Sequence, residues 1–176
     1  MPGVYLTERR FFGLINLRGD AKDSSFLKGA ERCLCAPLPL RANTVSESEA
    51  VTALWLGPDE WLLVTRPNTE RQFVSALHDA LQHCLSSVTD VTDGQTILRI
   101  SGDRAIEVLQ KGSSLDLHPR VFKPACCAQT LIAKVIIVIH CVDQAPSFDL
   151  VVRRSFSEYF VSWIQDAAAE AGFRLI

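Results

Sequence analysis

An internal repeat of two strand motifs constrains the fold more than any other feature of the sequence. Residues 14–20 (LINLRGD) align with residues 97–103 (ILRISGD), and each apolar segment ends in Gly-Asp before a short helix pattern. Residues 62–66 (LLVTR) align with residues 150–154 (LVVRR), and an amphipathic helix pattern follows each. The order strand, short helix, hairpin, long helix therefore occurs twice, and we predict a duplicated chain with halves at about 11–85 and 86–176.

The same order of elements predicts the fold class. Strands whose helices are segregated to one face of a mainly antiparallel sheet make an α+β protein, here of duplicated β-α-β-β-α units. The length of 176 residues fits one domain in which both halves share a core. Within the first half, Gly57 and Pro58 predict a tight turn between strands at 51–56 and 61–65.

Capping patterns predict where the two long helices begin. Thr69 with Gln72, and Ser155 with Glu158, have the spacing of a capping box, in which a hydroxyl and a carboxyl or amide bond reciprocally to backbone N–H groups. After Ser155, the expected buried stripe of the last helix consists of Phe156, Phe160, Trp163, Ile164, Ala167 and Ala171.

Charge and hydropathy argue against two classes of partner. The net charge of −2 offers no polybasic surface for nucleic acid or an anionic membrane. The longest apolar run, residues 135–139, is far shorter than the roughly 20 residues of a membrane-spanning helix. The first ten residues contain no apolar signal-peptide core. We therefore expect a cytoplasmic protein that binds neither nucleic acid nor membrane.

Six cysteines invite a test for metal binding: Cys33, Cys35, Cys84, Cys126, Cys127 and Cys141. Structural zinc sites usually take pairs of cysteines from a turn with two to four other residues between them, and no pair here has that spacing. Most of the six lie among apolar residues, which favours reduced and buried thiols. We predict no metal site.

Asp116, His118 and Arg120 form the most prominent polar cluster, in a predicted loop at 113–124. A carboxylate beside an imidazole is suited to acid–base catalysis. The simpler interpretation, which we favour, is that Asp116 bonds locally, His118 packs and Pro119 stiffens the loop.

Arginine and aromatic residues suggest a protein contact at a second place. Arg153, Arg154 and Phe156 are of the types that supply much of the binding energy at interfaces. Helical spacing favours a core role for the aromatic residues. Trp55 and Trp61 are expected to face each other across their hairpin.

Several of these motifs follow one another in a characteristic order between about residues 13 and 172. The most specific are the tryptophan hairpin, the Asp-Leu-His-Pro loop and the Arg-Arg-Ser-Phe segment; the motif residues are Arg18, Gly19, Trp55, Gly57, Pro58, Trp61, Asp116, His118, Pro119, Arg153, Arg154 and Phe156. Together they resemble the gamma subunit family of heterotetrameric sarcosine oxidases.

The resemblance implies an enzyme complex that oxidatively demethylates sarcosine to glycine, forms hydrogen peroxide and passes the one-carbon unit to tetrahydrofolate. In such enzymes the alpha and beta subunits carry FAD, FMN, NAD and the substrate and folate sites, and the delta subunit binds zinc. No cofactor or catalytic residue is ascribed to gamma. The implied fold resembles the folate-binding domain of the glycine-cleavage aminomethyltransferases, which is also internally duplicated.

From this resemblance we expect a non-catalytic subunit that assists assembly or stability, has alpha, beta and delta subunits as partners and binds no cofactor itself. The alternative is a folate-binding module with an aminomethyltransferase-like pocket, although no residue here matches the acidic group that anchors folate in those enzymes. A further alternative is an independent enzyme that uses Asp116 and His118. Relative to the family we also expect a shorter start to the chain, without one N-terminal partner contact.

Overall fold

The computed structural model describes residues 2–176, which form two compact units: residues 11–93, and residues 2–10 together with 94–176. Along the chain the strands and α-helices are β1 (Val4–Glu8), β2 (Phe12–Gly19), α1 (Ser24–Leu34), β3 (Val45–Glu47), β4 (Val51–Gly57), β5 (Glu60–Pro67), α2 (Glu70–Leu81), β6 (Ser86–Asp90), β7 (Gln95–Ser101), α3 (Ala105–Gln110), β8 (Cys127–Ile132), β9 (Val135–Asp143), β10 (Ser147–Arg153), α4 (Ser157–Ala167) and β11 (Phe173–Leu175). The predicted α+β class with mainly antiparallel sheets is confirmed.

The unit of residues 11–93 is a sheet with strand order β3-β4-β5-β2-β6, all antiparallel, and its core is shared with α1 and α2. Asp23 begins α1, because its carboxylate accepts a hydrogen bond from Ser25 N at 2.8 Å. The centre of this core is the ring pair of Phe26 and Trp61, whose centroids lie 5.7 Å apart. Both side chains are fully buried, so the helix is fixed to the sheet by its largest residue.

The other unit is a sheet with the order β11-β1-β7-β10-β9-β8, in which only β1 and β11 are parallel. Its core lies between the sheet and the helices α3 and α4. On neighbouring strands, Arg99 donates two hydrogen bonds to Asp149 at 2.7 and 2.8 Å, and Arg9 reaches the same carboxylate at 3.3 Å. These cross-strand ion pairs add to the backbone register of β7 and β10.

The two sheets share one strand order. The order β3-β4-β5-β2-β6 in one unit corresponds to β8-β9-β10-β7-β1 in the other, so β2 takes the place of β7 and β5 that of β10. These are the same strands that align in the sequence. The shared order supports the predicted duplication, which we retain as a proposal.

The boundaries of the predicted halves differ from those of the compact units. Residues 86–90 open the predicted second half, whereas β6 pairs with β2 and lies in the first sheet. β6 and β7 therefore belong to different sheets and form no hairpin, because the turn at Thr92–Gly94 carries the chain from one sheet to the other. The polar segment of residues 41–49 contains the short strand β3.

Both predicted capping boxes are wrong. Thr69 donates its hydroxyl to Arg66 O at 2.8 Å and makes no cap bond to α2. Ser155 lies in a 3₁₀ turn, Arg154–Phe156, that precedes α4, so it does not occupy the N-cap position. This turn also moves Phe156 out of the predicted buried stripe, and 46% of Phe156 is exposed. The helix itself ends at Ala167, so Ala171 of the predicted stripe lies beyond it.

The motif glycines Gly19 and Gly57 differ in what a side chain would meet. A Cβ at Gly19 would lie 2.5 Å from Cζ of the buried Phe26 ring, whereas the nearest atom to a Cβ at Gly57 is 3.7 Å away. We expect Gly19→Ala to lower the free energy of unfolding by about 1–3 kcal/mol through overpacking, and Gly57→Ala to change it far less. Denaturant unfolding of both variants tests this expectation, and equal stability would contradict the packing role of Gly19.

Candidate functional site

The motif residues Arg18 and Gly19 lie at the end of β2 beside the β4–β5 turn. Gly19 N donates to Asp59 O at 3.1 Å, and Arg18 Nη2 lies 3.4 Å from Asp59 Oδ2 in an exposed ion pair. A shallow groove of about 460 Å³ next to this pair is also lined by Leu85 and Ser86. Leu85 is 94% exposed. We call Arg18, Asp59 and Leu85 the Leu85 surface.

The tryptophan hairpin is mainly structural. The predicted pairing of Trp55 with Trp61 across β4 and β5 is confirmed by their register. Trp61 is fully buried and donates its Nε1–H to Pro39 O at 2.8 Å. Trp55 is half-buried, and Pro58 is exposed at the turn. The main role of the hairpin motif is therefore to pack the sheet against α1.

The Asp-Leu-His-Pro loop is a locally bonded turn. Asp116 Oδ1 accepts from His118 N at 2.9 Å, and His118 Nδ1 accepts from Arg120 N at 3.2 Å. Leu117 between them is fully buried and anchors the loop in the core. Asp116 therefore bonds locally, as the simpler interpretation expects, whereas His118 is exposed and does not pack in the core. Pro119 is exposed and lines a groove beside the loop.

Arginine and aromatic side chains are exposed together where β10 leads into α4. Arg153, Arg154, Phe156 and Tyr159 are all exposed, with 46% of Phe156 and 42% of Tyr159 accessible. Arg154 also donates to Gln95 O at 3.2 Å, so one of its contacts holds the start of this segment on β7. We call these four residues the Arg153 surface. Its composition matches that of binding hot spots. Helical spacing predicts a core position for Phe156, and the structure shows that this residue is exposed instead.

Sequence reasoning missed three exposed residues. Tyr159 lies on α4 outside the predicted apolar stripe, and this position in the helical pattern could have indicated that it is exposed. Leu131 and Ile136 are exposed cross-strand partners in β8 and β9. Because both strands are apolar at most positions, their sequences do not indicate which face of the sheet the helices cover. They form an apolar pair on the face of the second sheet.

The cysteines differ more in burial than predicted. All six are reduced thiols; Cys127 and Cys141 are buried, Cys35 is exposed and the others are intermediate. Burial is the main reason that the pKa of Cys141 rises to about 11, so its thiol is protonated at neutral pH. Among residues 2–176, no cluster of three or more histidine, cysteine or acidic side chains is arranged to hold a metal ion. Within the same residues, no helix has the length and apolarity needed to cross a bilayer.

Comparison with known proteins identifies the family. The model of the sarcosine oxidase gamma subunit family matches residues 18–170. The chain belongs to this family. Sarcosine oxidase subunit gamma of Corynebacterium sp. (strain P-1) is 31% identical over 170 residues, which are 95% of this chain and 81% of that protein. The resemblance derived from the motifs is thereby confirmed.

Solved structures agree with the family assignment. A chain of the heterotetrameric sarcosine oxidase from Corynebacterium sp. U-96, in complex with pyrrole 2-carboxylate, matches with a TM-score of 0.89 and 28% identity, covering 96% of this chain and 85% of that one. Glycine cleavage system aminomethyltransferase T from Bartonella henselae matches with a TM-score of 0.68 and 13% identity, covering 99% of this chain and 48% of that protein. The second likeness concerns the fold alone, and it confirms the expected aminomethyltransferase-like architecture.

Proposed function

We propose that this chain is the non-catalytic gamma subunit of a cytoplasmic heterotetrameric sarcosine oxidase. The observation that carries the proposal is the match to a chain of such an enzyme over 96% of the residues with a TM-score of 0.89. The complex would oxidatively demethylate sarcosine to glycine and form hydrogen peroxide and methylene-tetrahydrofolate. Its FAD, FMN, NAD, zinc and tetrahydrofolate would be bound by the alpha, beta and delta subunits.

The contacts of the motif residues support an assembly role. The polar atoms of Asp116 and His118 accept hydrogen bonds from their own loop, and Trp61 lies in the core. The Arg153 surface instead presents two large aromatic side chains and two guanidinium groups to solvent. When a partner covers such a surface, the aromatic rings are removed from water, and the guanidinium groups can form directed hydrogen bonds to the partner. We assign this surface to contact with another subunit of the complex, with an acidic rim facing Arg153.

Co-expression tests the assembly role. The tagged chain, expressed with the alpha, beta and delta subunits of a sarcosine oxidase, should co-purify with them and support sarcosine-dependent peroxide formation. Omission of the chain should reduce the yield of the assembled complex, because binding of a scaffold subunit shifts the equilibrium from free subunits towards the complex. A complex that assembles and turns over equally well without this chain would contradict the proposal.

Charge reversal tests the Arg153 surface. We expect Arg153→Glu combined with Phe156→Glu to weaken binding to the partner subunits by about 30-fold or more, the effect of losing a hot spot of roughly 2 kcal/mol. The matched control is Arg71→Glu, because Arg71 is exposed on α2 in the other unit. Phe156→Tyr, which keeps the aromatic ring, should retain binding.

Binding is best measured by titration of the purified partner subunits, and circular dichroism verifies the fold of each variant. If the double variant binds as tightly as the Arg71→Glu control, the Arg153 surface is not the contact. Equal losses in the double variant and the control would instead indicate a general charge effect.

A folate-binding module is the second candidate, supported by the aminomethyltransferase-like fold over 99% of the chain. Calorimetric titration of the full chain with tetrahydrofolate tests it directly. Saturable heat at micromolar to millimolar ligand would support this function, and no heat at millimolar ligand would exclude it.

A further inference from the structure

Two cysteines lie opposite each other at the start of the β8–β9 hairpin. Cys141 N donates to Cys126 O at 2.9 Å, and Ala125 N donates to Cys141 O at 3.2 Å, so two backbone hydrogen bonds hold the segments together. The register continues from the neighbouring pair Cys127 and His140. Ala125 is the extra residue of a β-bulge, so that it and Cys126 both lie opposite Cys141. Opposed residues of antiparallel strands have Cβ atoms about 4.5–5.5 Å apart.

Both thiols point to the same side of the sheet. Cys141 belongs to the buried core of its unit, and Cys126 packs against that core. Cys127, one residue further along, alternates to the opposite face and lies outside this cluster. Burial and, after it, the charge of the nearby Cys126 thiolate raise the pKa of Cys141, which places the two sulfur atoms in the same surroundings. The spacing of opposed strands is within a small adjustment of the roughly 3.5–4.5 Å between Cβ atoms that a disulfide requires.

We propose that Cys126 and Cys141 are a redox-active dithiol that closes to a cross-strand disulfide when the chain meets a hydroperoxide. This site is separate from the assembly role and does not rest on it. Its oxidant is identified by chemistry alone, as a small peroxide that can reach a half-buried thiol.

The two thiols have different roles in this reaction. Cys126 is more exposed than Cys141, of which 3% is accessible, and so meets the oxidant first. With hydrogen peroxide, the Cys126 thiol releases its proton, the thiolate attacks one peroxide oxygen and the O–O bond breaks; the leaving hydroxide takes up that proton, so a sulfenic acid and one water result. The Cys141 thiol then attacks the sulfenic sulfur, the S–O bond breaks, and a second water leaves as the disulfide forms. Two thiols are oxidised and one hydroperoxide is reduced to water.

The contacts of Cys141 suit its role as the second thiol to react. Cys141 lines a groove of about 420 Å³ that also contains Phe122 and Pro119 of the loop next to it. Its Sγ donates only a long hydrogen bond of 3.6 Å to Asp143 O, which the reaction would break at little cost. Ala125, with φ of 64°, makes the bend that delivers Cys126 to β9. The disulfide would therefore fasten the Asp-Leu-His-Pro loop to the sheet.

Peptide mapping of the full chain tests the proposal. The purified reduced protein is treated with hydrogen peroxide, the remaining thiols are alkylated, and the digest is analysed without reduction. We expect one pair of peptides joined through Cys126 and Cys141, and dithiothreitol should separate the pair. The other four cysteines should still be reduced after the peroxide treatment and should therefore be alkylated: Cys33, Cys35, Cys84 and Cys127.

Three variants sharpen the result. Cys126→Ser and Cys141→Ser should each abolish the joined peptides, and Cys127→Ser, the matched control on the opposite face, should retain them. A link through Cys127, oxidation of Cys126 to the sulfinic acid without any link, or full alkylation of both thiols after peroxide would each overturn the proposal. The wild-type mapping alone decides the matter if a variant does not fold.

Discussion

The pairing of β1 with strands from the far end of the chain is the constraint on which the second unit depends. Gly3 N donates to Ala171 O at 2.8 Å and Ile176 N donates to Leu6 O at 2.9 Å, while β1 also runs antiparallel to β7. Val4 and Leu6 are fully buried in the core beneath α3 and α4. Without β1, the central strand β7 would have an unsatisfied edge and the core would lose two of its buried residues. The unit is therefore complete only when both ends of the sequence have joined it.

The motif residues divide into those that build the fold and those that meet solvent. Gly19 makes room for the ring of Phe26, and Gly112 does the same for Trp163, since a Cβ there would lie 2.7 Å from Cη2 of the indole. In each unit an aromatic ring from a helix thus rests on a glycine backbone. Such close approach is intolerant of any side chain, which explains the glycines at positions 19 and 112. The four residues of the Arg153 surface are instead exposed, which fits the contact with another subunit that we propose.

Local patterns predicted local structure, whereas long-range pairing had to come from the structure. The β4–β5 hairpin, the helix over residues 24–34 and the strands β8 to β10 follow from turn residues, capping and β-branched runs. β1 has an alternating pattern, but nothing in five residues states that its partners are β7 and β11. The first capping box failed because the Thr69 hydroxyl bonds back to Arg66 O, and the second failed because Ser155 lies in the 3₁₀ turn before α4 instead of at its N-cap. Of the candidate site, the residue types were predicted and the exposure of Phe156 was not.

Each unit exposes a surface of different chemistry, which bears on how a multi-subunit enzyme would hold this chain. The Arg153 surface combines cations with aromatic rings, whereas the Leu85 surface places an aliphatic side chain beside the ion pair of Arg18 and Asp59. Both members of that pair are more than half exposed, so solvent screening leaves the pair little stabilising value. Arg18 and Asp59 can therefore exchange their ion pair for contacts with charged groups of a partner at small cost in free energy. Leu85, beside the pair, can supply an apolar contact to the same partner. Two such surfaces of unlike character would let different subunits be distinguished on one small chain.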